Sequence, residues 1–339
     1  MPRATWKEIF LRLDLEDFLL HIDMNPDFSA FYEKLEVCKA SKINTLLVPI
    51  IQINNIKSGY YYLTALLTKL PTIKYLEFSG LPQMHNMINE KAAKAIKKGL
   101  INFKEGGGKL DMLKFQNVTV NKDLSDCLFV YLSETDQLRS LEFNKTNLLL
   151  YGNSMKILSN SLINIKNLER LVFDQCQLNE DKCKVLADSL MRTKKLRIFE
   201  IHDNSATNKG LSSIIYNLAF SPNLLYLDIS RTNSLINETV VSLYKLLKIS
   251  ASIEVIRAST IGSLNQNLVK DFWVSLGECA SLRVLDLSYS GPLASKYKEI
   301  GNSVAFNAKK KGSLEYLNVT SCLNGANAIV ELYKGMCIS

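Results

Sequence analysis

The chain contains no uninterrupted apolar run approaching about 18 residues, so no transmembrane helix is expected. Its first residues, Met1-Pro2-Arg3-Ala4-Thr5-Trp6-Lys7-Glu8, lack the apolar core of a secretory leader. The seven cysteines are odd in number and form no C-x-x-C pair. That argues against a disulfide framework and fits small buried thiols in a reducing, cytoplasmic setting. Histidine is scarce, with three in the chain, and His202, between Glu200 and Asp203, is a single imidazole beside carboxylates rather than a recognisable metal set. No nucleophile elbow, P-loop or dinucleotide fingerprint is present, so neither an enzyme nor a cofactor is expected. The lysine runs lack interleaved aromatics, and no zinc finger or helix-turn-helix pattern occurs, so a nucleic acid is not the expected partner. Net charge is only +8, which permits an acidic partner without demanding one.

What the chain does have is a repeat. The pattern Leu-x-x-Leu-x-Leu, or a close variant, begins at Ile43, Ile73, Leu110, Leu138, Leu168, Leu196, Leu224, Ile253, Leu282 and Leu314. Successive starts lie 30, 37, 28, 30, 28, 28, 29, 29 and 32 residues apart. Ten matches in one register mark a solenoid built by stacking. Each repeat opens with strand alternation, as in Leu168-Glu-Arg-Leu-Val-Phe173, and continues with helical spacing, as in 180–190. Further helical segments are expected at 90–103, 121–133, 149–164, 207–219, 236–249, 265–277 and 294–307. The long interval from 73 to 110 carries an insertion ending in Lys104-Glu-Gly-Gly-Gly-Lys109, read as a surface loop.

Residues 1–42 precede the repeats and read as a helical N-terminal cap. Thr5 and Glu8 form a capping box, Trp6, Ile9, Phe10, Leu13, Phe18 and Leu20 supply one buried face, and Phe28, Phe31, Leu35 and Cys38 supply a second. At the far end, Ala326–Ser339 reads as the helix of the tenth repeat with no polar cap after it. That helix closes the stack, meets a partner, or is followed by more chain.

Over about residues 43–339 the sequence resembles ribonuclease-inhibitor-type leucine-rich repeat proteins. The repeat length, the helix after each strand and the residue eight positions after each start carry the likeness: Cys176, Asn204, Thr232, Ser290 and Cys322. Ile51, Leu81 and Val118 depart from it. The resemblance implies a leucine-rich repeat horseshoe, α/β, with parallel strands on the concave face and helices on the convex one. It implies a non-enzymatic protein-interaction scaffold, and some proteins of this repeat type serve cytoskeletal or ciliary assemblies. Two alternatives stand beside it. One is a GTPase activator similar to the Ran-activating repeat proteins, for which no acidic tail or catalytic motif can be matched. The other is an F-box-like ubiquitin-ligase receptor, from a faint likeness over residues 8–20.

If the first, fourth and sixth residues of each repeat point into the core, the third, fifth, seventh and eighth face the inner curve. Those columns hold the acids Glu77, Glu142, Asp174, Glu200, Asp203, Asp228 and Asp286, and the bases Lys114, Lys145, Arg170, Arg231 and Arg257. Tyr75, Tyr226, Tyr289 and Tyr316 share them. The expected partner-binding set is therefore Glu142, Asp174, Glu200, His202, Asp203, Tyr226, Asp228, Arg257, Asp286, Tyr289 and Tyr316. Two readings remain open: solvated residues that keep an exposed sheet soluble, or an acidic dock for a Lys/Arg-bearing protein with tyrosine anchors. Lys91, Lys94, Lys97, Lys98 and Lys309–Lys311 gather on helices elsewhere and read as a solvated face.

Overall fold

The computed structural model describes residues 12–14, 28–50, 59–82, 87–148, 154–232, 237–259, 266–290, 297–310, 313–322 and 326–338. They fall into two compact units, Met1–Leu168 and Glu169–Ser339. Both are built from the same β-then-α repeat.

In the first unit five strands pair in parallel: β1 (Arg12–Asp14), β2 (Thr45–Pro49), β3 (Tyr75–Ser79), β4 (Met112–Gln116) and β6 (Ser140–Asn144). Two short strands, β5 (Thr119–Val120) and β7 (Asn147–Leu148), pair beside them. The helices are α1 (Phe28–Ala40), α2 (Gly59–Lys69), α3 (Glu90–Glu105), α4 (Lys122–Glu134) and α5 (Ser154–Asn164). In the second unit six parallel strands alternate with six helices. The order is β8 (Arg170–Asp174), α6 (Glu180–Leu190), β9 (Ile198–Glu200), α7 (Asn208–Leu218), β10 (Tyr226–Asp228) and α8 (Asn237–Ile249). It continues with β11 (Val255–Arg257), α9 (Gln266–Glu278), β12 (Val284–Asp286), α10 (Tyr297–Lys309), β13 (Tyr316–Asn318) and α11 (Ala326–Ile338). This is the α/β leucine-rich repeat fold, and every one of the ten repeat starts precedes a strand.

The strands form because their core positions are apolar and their alternate positions are not. Leu113 and Phe115 of β4 are fully buried between half-buried Met112, Lys114 and Gln116. Each such side chain removed from water contributes roughly 1.5–3 kcal/mol. At the sixth repeat position the first unit stacks phenylalanines: Phe78, Phe115 and Phe143 lie 5.3 and 5.5 Å apart, nearly coplanar. Three helices begin at an asparagine cap, Asn89, Asn121 and Asn179, whose side chains accept from the amides of Ala92, Leu124 and Lys182.

The eighth-offset residues hold the turn that follows each strand. Asn204 is 4% exposed and makes a rung of five hydrogen bonds. Its Oδ1 accepts from the Cys176 and Leu178 amides, and its Nδ2 donates to the carbonyls of Phe173, Ile201 and His202. Cys176, Thr232, Ser290 and Cys322 occupy the same buried place in other repeats. The residue just before that rung turns the corner in the left-handed region at Asn117, Lys145, Gln175, Asp203, Arg231, Tyr289 and Ser321, with φ between 48° and 60°. Asn117 and Asp203 are of types that tolerate this region and none of the seven is glycine, so at the other five the corner is imposed by the rungs rather than by local preference.

Several expectations need correction. Within the expected helical cap, Arg12–Asp14 is a strand that pairs with β2, because extended backbone there satisfies the open amides of β2. The capping box at Thr5 and Glu8 and most of the F-box-like stretch lie outside the described residues. The second stripe does fall on a helix, α1, with Phe31, Leu35 and Cys38 buried. The helix α2 was not anticipated. The expected loop at 104–109 begins two residues inside α3, and only its glycines turn the chain, Gly107 at φ 83°.

Candidate binding surface

The second unit carries most of the expected site residues, and its register fixes how they meet. Strand pairing sets Val172 beside Glu200, Glu200 beside Asp228, Asp228 beside Arg257, Arg257 beside Asp286, and Asp286 beside Asn318. One row across the sheet face thus runs from acidic to mixed charge. Tyr226 and Tyr316 sit in the neighbouring row, two residues earlier on their strands, and Tyr289 follows β12 at a left-handed corner.

At one end of the row the charges satisfy one another. Arg170 Nη2 contacts Glu200 Oε1 at 2.8 Å, and Arg231 Nη2 contacts Asp203 Oδ2 at 3.0 Å. His202 lies in the middle: its Nδ1 is 3.1 Å from Asp174 Oδ1 and 3.7 Å from Asp203 Oδ2, while Nε2 is 3.7 Å from Glu200 Oε2. The side chains of Asp174, Glu200, His202 and Asp203 are only 14–21% exposed, so water screens them poorly. Glu200, Asp174 and Asp228 hold the imidazole's affinity for a proton above its ordinary value, led by the Glu200 contact and against the opposing effect of burial. Burial pushes Glu200 up, yet His202 and Arg170 together leave its carboxyl below the usual range. Asp174, His202 and Asp203 bring one donor atom each within 4.8 Å of the others, the geometry in which a cation could be held.

Asp228 is 8% exposed; its carboxylate accepts from the Ser230 amide and the Tyr226 hydroxyl. Burial, then the adjacent Asp228, pushes the Tyr226 phenol up to about 12, so it stays a hydrogen-bond donor. Arg257 lies 5.7 Å from the centre of the Tyr226 ring. Asp286 is half-buried and accepts from the Ser288 amide. Outward chemistry concentrates at the other end of the row, where Arg257 is exposed and Tyr289 and Tyr316 are 64% and 54% exposed. Glu142 belongs to the first unit, on β6, where Ser140 donates to it. There Lys114 and Glu77 also pair, at 3.3 Å. Of the helical lysines, Lys91, Lys94 and Lys98 border a groove of about 520 Å³ with Tyr32 and Tyr61, between α1, α2 and α3.

Sequence columns alone located the row but missed two things. Asp174, expected from its column to cluster with Glu200, Asp203 and Asp228 of the next two repeats, stands opposite His202 through the β8–β9 register, and that contact with the imidazole is what the columns did not show. The arginines that neutralise the acids come from neighbouring repeats, and only the strand pairing reveals which acid each meets. Among the described residues, no helix is long and apolar enough to cross a membrane.

No family model matches the chain. Over 97 residues, 27% of its length, it is 31% identical to NLR family CARD domain-containing protein 4 of Rattus norvegicus, covering 10% of that protein. The Mus musculus protein of the same name is 39% identical over 62 residues, 18% of this chain and 6% of that one. The chain therefore spans a tenth or less of the length of these curated relatives. Among solved structures, a complex of TLR13 with ssRNA13 is similar at a TM-score of 0.45 and 16% identity, covering 73% of this chain and 29% of that one. Likeness of that degree transfers no partner or activity.

Proposed function

We propose that this leucine-rich repeat chain is a non-enzymatic scaffold that docks a protein partner on the strand face of its second unit. The observation that supports the reading is the group Arg257, Tyr289 and Tyr316. These are exposed side chains of two of the types enriched where binding energy concentrates, and they project from consecutive repeats. Tyrosine offers a large amphipathic surface at little entropic cost, and arginine adds directional donors for a carboxylate or backbone carbonyl. Asp174, Glu200, His202, Asp203, Tyr226, Asp228 and Asp286 complete the proposed face, while Glu142 lies on the strand face of the first unit and is not part of it. Several of these acids are engaged with neighbours, so their contribution is charge complementarity and rigidity rather than new bonds. A finer reading makes the chain an architectural subunit of a cytoplasmic assembly, cytoskeletal or ciliary, and rests on the family resemblance.

Site-specific photo-crosslinking tests the docking face. A benzophenone amino acid placed at position 289 should form a discrete adduct with one protein in native-cell extract. The same probe at Val274, exposed on α9, should not. Adducts from 274 with none from 289 would move the dock to the helical side and remove this reading.

A further inference from the structure

We propose that Asp174, His202 and Asp203 form a binding site for one borderline divalent cation, of which Zn²⁺ is the representative. The proposal does not depend on the docking face, and it concerns the imidazole of His202 and the carboxylates that surround it.

His202 Nδ1 is fully enclosed and lacks any aligned hydrogen bond, although Asp174 Oδ1 is only 3.1 Å away. A shared proton needs the oxygen along the ring nitrogen's lone-pair axis. A shared cation needs the opposite: the metal occupies that axis at roughly 2.0–2.1 Å, and the oxygen sits to one side. Ligands separated by 90–120° around such an ion lie about 3.0–3.6 Å apart, given bonds of about 2.0–2.2 Å. The Asp174 spacing of 3.1 Å from Nδ1 lies inside that range and the Asp203 spacing of 3.7 Å just outside it, and with all three donors within 4.8 Å of one another the carboxylates need only a small inward shift to close on one ion. The left-handed corner at Asp203, φ 55°, aims the third donor.

The other ring nitrogen of His202 also has a carboxylate facing it. A metal-bound imidazole almost always gives its remaining N–H to a carboxylate or carbonyl, which fixes the tautomer and the ring. Glu200 Oε2 stands 3.7 Å from Nε2, while its other oxygen is held by Arg170. Glu200 is thus a positioning residue and Nδ1 the free donor.

Charge completes the case. With neutral imidazole, Asp174, Glu200, Asp203 and Asp228 carry four negative charges, against the guanidiniums of Arg170, Arg231 and Arg257, so the cluster keeps a net negative charge that a cation offsets. Mixed imidazole and carboxylate donors suit Zn²⁺, Co²⁺ or Mn²⁺ better than the all-oxygen preference of Ca²⁺ or Mg²⁺. Three protein ligands leave a further coordination position for water or an incoming group.

The whole chain, freed of metal by chelation, should take up one equivalent of Zn²⁺ in isothermal titration at this site. Asp174→Asn and Asp203→Asn, which preserve side-chain shape, should each weaken it by at least tenfold. His202→Ala should abolish it, and Glu200→Gln should weaken it by about 10–100-fold, the usual effect of losing the group behind a ligand. Circular dichroism identifies any variant that fails to fold, and the isosteric asparagine variants then decide. X-ray absorption of the loaded protein should show a nitrogen/oxygen shell near 2.0–2.1 Å and no sulfur near 2.3 Å. The seven free cysteines are the competing ligands, so a sulfur shell, unchanged stoichiometry in His202→Ala, or no Zn²⁺ uptake overturns the proposal.

Discussion

Asn204→Ala is the sharpest perturbation available to test why the chain folds this way. The side chain is 4% exposed and fills one rung between the β8 and β9 repeats. Truncation removes the acceptor for two amides, Cys176 and Leu178, and the donor to three carbonyls. A buried N–H left without a partner costs about 1–3 kcal/mol. Carbonyls tolerate loss better, so the two amides dominate and the total comes to about 3–5 kcal/mol. Because repeats contact mainly their neighbours, the loss should be concentrated locally. Hydrogen exchange read by mass spectrometry on a peptide spanning 174–178 is the assay. A deficit of that size, at 1.4 kcal/mol per tenfold, accelerates exchange there by about 100- to 4000-fold. Asn204→Cys should fall between, since a thiol can donate to one carbonyl, as Cys176 does to Asp174 at 3.2 Å, but cannot serve two amides. Exchange at 174–178 within threefold of the parent would refute the rung argument, whatever the global stability.

Three further outcomes follow from single residues. Lys145 is exposed and left-handed at φ 48°, so Lys145→Val should lower stability by about 1–2 kcal/mol in urea unfolding while Lys145→Gly leaves it nearly unchanged. Gly301 and Gly335 let α10 and α11 touch through backbone, a Cβ on Gly301 meeting the Leu332 carbonyl. Gly301→Ala should therefore destabilise by about 1–3 kcal/mol, seen as faster exchange across 326–338. Burial pushes the Cys183 thiol up to about 12, leaving about one molecule in ten thousand as thiolate at pH 8. Exposed Cys337 should react with iodoacetamide within minutes under conditions where Cys183 labels only after unfolding; equal rates would contradict the burial.

The fold was legible because leucine-rich repeats place their information where the physics is strongest. Leu171, Phe173, Leu227 and Ile229 must be apolar to be buried, and that necessity is periodic. The strand at Arg12–Asp14 was not legible, since Trp6 through Leu20 also satisfy helical spacing and the pairing with β2 is nonlocal. Helix α2 was hidden by Gly59-Tyr60-Tyr61-Tyr62, residues that by propensity favour turn and strand over helix. The left-handed corners were invisible because Lys145, Gln175, Arg231, Tyr289 and Ser321 carry no glycine-like signature. For the surface, the columns named the right side chains, but charge pairing is set by register. Arg170 meeting Glu200 and Asp174 meeting His202 need two repeats to be aligned before either contact can be seen.

The central claim, that the strand face of the second unit docks a protein, is tested most directly by quantitative co-purification from native cells. Wild type should be compared with the triple variant Arg257→Ala, Tyr289→Ala, Tyr316→Ala. Anchors of this kind are worth at least about 1 kcal/mol each, so together they should deplete the bound partner by about 100-fold. Recovery of the same partner at the same abundance from the triple variant would contradict the account.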